Sequence, residues 1–103
     1  MKYDEERVLE VFEILSRVTE INRKIKEPDL HQINVLLWGG EYPNLEVRFV
    51  NWKPNSRYEQ ESVSEFKFYL MEKRFYGDKR VLPSLRLKID EWEEKYCEKE
   101  QEE

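Results

Sequence analysis

Side chains that could do chemistry are few in this 103-residue chain: a single histidine, His31, and a single cysteine, Cys97. Nucleophilic catalysis needs a base beside its nucleophile and a third group to orient the base. A lone histidine at the start of a predicted strand supplies one of the three. Cys97 falls beside Glu94 and Glu98 on a predicted helix, where neighbouring negative charge raises a thiol pKa and makes it inert. One His and one Cys, distant in sequence, make no zinc pattern. The Gly39-Gly40 pair joins two predicted strands, whereas a phosphate loop precedes a helix. Carboxylates are so numerous that no pair identifies itself. These residues predict a protein that is not an enzyme and carries no cofactor or metal.

Charge says more. Charged residues make up 40% of the chain and the net charge is −5, yet the distribution is uneven. Residues 66–88 carry Lys67, Lys73, Arg74, Lys79, Arg80, Arg86 and Lys88 against only Glu72 and Asp78, whereas residues 89–103 hold eight acids against Lys95 and Lys99. The basic block is interleaved with Phe66, Phe68, Tyr69, Phe75 and Tyr76. Cations for phosphates beside rings for base stacking are the physical recipe for single-stranded nucleic acid. Lys67, Lys73, Arg74, Lys79 and Arg80 are therefore candidate nucleic-acid contacts. In the competing arrangement, strand alternation turns the phenylalanines inward and leaves the lysines as a solvated face.

The elements that must position these groups centre on Ile33–Trp52. Ile33, Val35 and Leu37 alternate with Asn34, Leu36 and Trp38, and Leu45, Val47 and Phe49 alternate with Glu46, Arg48 and Val50. Two paired strands, roughly 32–38 and 45–52, are predicted. Their link is longer than a two-residue turn, with Gly39 and Gly40 able to take positive φ and Pro43 fixing its own. Residues 4–26 are predicted as a helix, with Val8, Val11, Leu15, Val18, Asn22 and Ile25 in a stripe that Leu9, Phe12, Ile14 and Ile21 widen. Asp4 is its predicted N-cap, and Pro28 limits its far end. The segment 57–74 fits two patterns: Phe66, Phe68 and Leu70 alternate as a strand, while Ser62 and Glu65 could form a helix capping box. Aromatic richness favours the strand. Leu82, Leu85, Ile89, Trp92 and Tyr96 then form a helical stripe, with Pro83 in the first turn, and the tail over 98–103 is expected to fray. The expectation is one α+β domain over residues 1–103: a small two-layer sandwich of order α-β-β-β-α, a meander sheet with both helices on one face.

The last helix breaks a local rule. Arg86 and Lys88 lie in its early turns and Glu94 and Glu98 near its end, the reverse of what the helix dipole favours. Internal Arg86–Asp90 and Glu91–Lys95 pairs recover little of that. Two such helices packed antiparallel across a two-fold would place each basic start against the other's acidic end. A homodimer is therefore expected, with Trp38, Trp52, Leu85, Arg86, Ile89, Trp92 and Tyr96 as candidate interface residues. The functional expectation is a small non-enzymatic accessory or regulatory protein that binds itself and another protein, with nucleic acid as the alternative partner. With no apolar run long enough to span a bilayer, no secretory h-region and no cysteine pair, an intracellular, cytoplasmic protein is expected. The composition, dense in Glu, Lys and Arg, without alanine and with three glycines, resembles that of small hyperthermophile proteins, including those of their viruses and mobile elements.

Overall fold

Alternation along the middle of the chain builds a three-stranded antiparallel sheet. The computed structural model describes residues 5–55, 59–70 and 81–98. Its elements are α1 (Glu5–Lys24), β1 (His31–Trp38), β2 (Asn44–Trp52), β3 (Gln60–Tyr69) and α2 (Val81–Tyr96). The sheet order is β1-β2-β3, a meander. Within the segment that fits two patterns, Gln60–Tyr69 is a strand, because alternation sets Phe66 opposite Val47 and Phe68 opposite Leu45. On β1, Val35 and Leu37 complete those two rows. Gly40 takes φ +86 in the β1–β2 link, a conformation open to glycine without a Cβ penalty. A register shift between Asn51 and Trp52 passes over Glu61, and the β2–β3 pairing resumes with Trp52 opposite Gln60.

One face of this sheet is the core. Ile33, Leu45, Val47, Phe49 and Phe68 are buried against Val11, Ile14, Val18 and Ile21 of α1 and Leu85, Ile89 and Trp92 of α2. The buried stripe of α1 is narrower than expected: Leu9 and Phe12 remain 66% and 64% exposed. Two helices share one small sheet, so each buries only its central stripe. Arg7 prolongs that stripe toward the start of α1, donating to Tyr69 O at 2.7 Å with its guanidinium 5.1 Å from the Phe68 ring.

The two helices run parallel. Glu13 of α1 pairs with Arg86 of α2, and one turn later Arg17 pairs with Asp90. Their C-termini are clasped by a single antiparallel bridge between Ile25 and Cys97. Lys26 N–H donates to Tyr96 O, and Glu98 N–H donates to Lys24 O, each at 3.1 Å. A helix end leaves its last carbonyls without helical partners; here each helix supplies the missing donor to the other.

Phe49, 1% exposed and in edge contact with Phe66 and Trp92, sits at the centre of this packing. Phe49→Ala should lower the unfolding free energy by about 3–5 kcal/mol. Leu87→Ala, at a residue 67% exposed, should change it by less than about 0.5 kcal/mol. Urea unfolding of both variants beside the parent checks the pair.

Candidate functional site

His31 is placed by the start of β1 against the end of α2. Its ring stacks on Tyr96 at 3.8 Å and meets Trp92 edge-on at 6.4 Å. Nδ1 lies 2.7 Å from Asn51 Oδ1, and Asn51 Nδ2 donates to Ser62 Oγ at 2.9 Å. The hydroxyl is bound to the amide and not to the imidazole, so this chain of groups lacks the base–nucleophile contact that acyl transfer requires. It ties β1, β2, β3 and α2 together. Cys97 is 4% exposed and its thiol donates to Ile21 O at 3.5 Å. Burial pushes the thiol pKa up, with a smaller push from Glu93 and a partial offset from Lys24. Among the described residues no group of three or more His, Cys, Asp or Glu is placed to hold a metal ion.

Two open clefts flank this region. One, of about 430 Å³, is lined by Asn51, Lys88, Glu91, Trp92, Lys95 and Tyr96. Its ammonium groups stand over rings, Lys88 5.8 Å from Trp92 and Lys95 5.3 Å from Tyr96, and Lys88 also faces Glu91 at 3.8 Å. The cations are thus already engaged. The other, of about 540 Å³, lies between Asp29 and Asn55 beside Trp52.

The sheet's outer face carries a charged network where a second apolar layer would otherwise be needed. Glu46 accepts from Trp38 Nε1 at 2.8 Å and from Arg48 Nε at 2.9 Å, while Arg48 also reaches Glu65 at 3.7 Å. Glu46 is only 4% exposed although no helix covers it; neighbouring side chains on its own face screen it. Hydrogen bonding with Glu65, then Trp38, then Arg48 holds its carboxyl at about 2, below the ordinary 4.5. Trp52 Nε1 donates to Gln32 Oε1 at 2.9 Å, and Val50 between them is buried at 1% exposure. Of the two tryptophans on this face, Trp38 is 52% exposed and Trp52 is half-buried.

The charge pattern of α2 finds its complement inside the chain. α1 is acidic in its first turn and basic in its last, while α2 has no acid in its first turn, Arg86 and Lys88 in its second, and Glu93 and Glu94 beside Lys95 near its end. Because the helices are parallel, this order sets Arg86 beside Glu13 at 3.1 Å and Asp90 beside Arg17. The expected Arg86–Asp90 pair is replaced by these cross-helix pairs, each worth about 0.2–1 kcal/mol at such exposure. Leu85, Ile89 and Trp92, expected at a seam between copies, are buried on the chain's own sheet at 0%, 1% and 4% exposure, and Tyr96 is packed against the same core. Of the candidate nucleic-acid contacts, Lys67 is exposed directly across from Glu46. Lys73, Arg74, Lys79 and Arg80 lie outside the described residues, as do Phe75 and Tyr76. Phe68 is buried and Phe66 is packed on the core, so neither ring is offered for stacking.

A different surface, of which Trp38 alone is among the expected interface residues, is left open along β1. Trp52 N–H donates to Leu30 O at 2.9 Å. By the two-residue repeat of an antiparallel ladder, Gln32–Val50, Asn34–Arg48 and Leu36–Glu46 then exchange the β1–β2 bonds. His31, Ile33, Val35 and Leu37 therefore turn their N–H and C=O groups to the free edge. His31 N–H is taken by Glu27 O at 3.1 Å. Ile33 is taken by Asn22, whose amide donates to Ile33 O at 2.8 Å and accepts from Ile33 N at 3.2 Å. The edge groups of Val35 and Leu37 have no partner among the described residues. Around them stand Leu36, Leu37, Trp38 and Tyr42, between 43% and 63% exposed. Phe12 and Leu15 lie on the same side of α1 as Thr19 and Asn22, at spacings of three, four and three, so the stripe runs along this edge. Asn22 was the available signal: a side-chain amide inside an apolar helical stripe asks for a backbone to bind.

Compared with known protein families, curated proteins and solved structures, the chain matches none.

Two measurements test these placements. The folded Glu46 carboxyl loses its proton at lower pH than the unfolded one, so its stabilising contribution is present above about pH 4.5 and is lost as pH falls toward 2. Glu46→Gln should flatten the fall in stability across that window, read from denaturation midpoints at successive pH values. Cys97 should resist a thiol reagent at pH 8 in the folded chain and react at the unhindered rate in denaturant; equal rates in both would show the thiol to be accessible.

Proposed function

We propose that this chain is a small non-catalytic protein-interaction module, accessory or regulatory in role, that docks through the flank made by the β1 edge and the adjoining side of α1. The observation that carries the reading is the open backbone of Val35 and Leu37 beside exposed Phe12, Leu36, Leu37 and Trp38. An unpaired strand edge next to apolar side chains is the surface onto which proteins add a strand. Elsewhere the chain disarms such features. The free edge of β3 carries Glu61, Glu65 and Lys67, which deter pairing, and Arg7 occupies Tyr69 O at its end. Nucleic-acid binding is the weaker reading, since Lys67 faces Glu46 and the described phenylalanines of the basic block pack inward.

A photo-crosslinking side chain placed at Phe12 or Leu37 in the source cell tests this. Discrete protein adducts from these two positions, and none from the equally apolar exposed positions Val63 and Leu87, are the expected result. Adducts of equal yield at all four positions, or none at any, would rule the flank out as a docking surface.

A further inference from the structure

We infer that the occupant of this flank is a second copy of the chain, joined β1 to β1 in one defined antiparallel register with Val35 opposite Leu37 of the other copy. The inference rests on the docking flank proposed above and names its partner. Three observations lead to it.

The first is the set of free backbone groups. Asn22 holds both groups of Ile33 and Glu27 holds His31 N–H, so within β1 only Val35 and Leu37 keep both edge groups without a partner among the described residues. Of the antiparallel self-pairings within β1, the one that sets Val35 opposite Leu37 of the partner copy uses all of these groups on both chains. The two-fold then passes beside Leu36, and the two copies of Leu36 face each other as a non-hydrogen-bonded pair, where side chains approach most closely. Two three-stranded sheets become one of six strands.

The second is charge. In a chain that is 40% charged, the segment Ile33–Trp38 carries no charge, and neither do Val8, Phe12, Leu15, Thr19 and Asn22 along the adjoining side of α1. A partner of opposite charge would be met by countercharges here. A second copy of a chain with net charge −5 needs a surface free of like charge, which this flank provides. Arg86 and Asp90 of α2, by contrast, already have countercharges within the chain.

The third is exposure on the helical side. A two-fold perpendicular to the six-stranded sheet puts both helical layers on one face and brings the two α1 helices together across the axis. The residues this would cover, Phe12 at 64% and Leu37 at 63% exposed, are among the most exposed large apolar side chains described. Self-pairing at β1 covers both at once.

Sedimentation equilibrium of the full chain at about 100 µM should give a dimer, since even a micromolar Kd makes the dimer dominant there. Leu37→Pro removes an edge N–H that the β1–β2 ladder does not use, so the fold should persist, checked by circular dichroism, while the Kd rises by about tenfold or more. Leu36→Cys in a Cys97→Ser background should oxidise to a covalent dimer across the two-fold, whereas Val63→Cys should not. That second readout holds even if the proline variant fails to fold. A dimer that ignores Leu37→Pro and yields no covalent link in the Leu36→Cys variant would overturn the β1 seam. A monomer at this concentration would overturn self-pairing altogether; discrete crosslinks from Phe12 and Leu37 to another protein would then leave the docking flank standing without it.

Discussion

The fold depends on covering one apolar sheet face with two helices from opposite ends of the chain. Three strands provide too little surface to stand alone, and neither helix alone can cover Ile33, Leu45, Val47, Phe49 and Phe68. The covering helices are separated by the whole meander, so their pairing closes the longest loop in the molecule and carries its entropic cost. The bridge between Ile25 and Cys97 is where that closure is secured. It gives the final carbonyls of both helices their donors and holds the thiol of Cys97 in the interior.

Parallel packing of α1 and α2 follows from the meander: three strands between two helices return the chain to its starting direction. Parallel helices align their dipoles unfavourably, which gives the order of Arg86 and Asp90 in α2 its purpose. Arg86 early in α2 runs against the helix's own dipole, but it and Asp90 one turn later meet Glu13 and Arg17 of the parallel neighbour. A rule broken within one helix is kept across two. The expected Arg86–Asp90 pair gave way to these cross-helix pairs.

The same matching of groups to partners marks the sheet's exposed side and edges. Glu46, Arg48 and Glu65 make the outer face polar enough to meet water, with Trp38 and Trp52 directing their indole N–H groups to Glu46 and Gln32. Acids and a lysine guard the edge of β3, and Asn22 and Glu27 close the Ile33 and His31 end of the β1 edge. What stays open is short, uncharged and ringed by apolar side chains, a combination that a chain so rich in charge leaves at this one flank of the described surface.

Much of the architecture was legible from residue order alone. Period-two alternation located β1 and β2, aromatic alternation at Phe66 and Phe68 favoured β3 over a competing helix pattern, and the Leu85–Ile89–Trp92 stripe located α2, because periodicity is local and survives without knowledge of neighbours. Tertiary structure alone decided which apolar residues stay exposed. Leu9 and Phe12 share the helical pattern of buried residues, and only the width of a sheet shared by two helices excludes them. It also decided where Asn22 directs its amide, which partners Arg86 and Asp90 take, and which strand edge is left open. Each of these depends on which segments distant in sequence become neighbours, and pairwise contact across the fold leaves no period in the sequence to read.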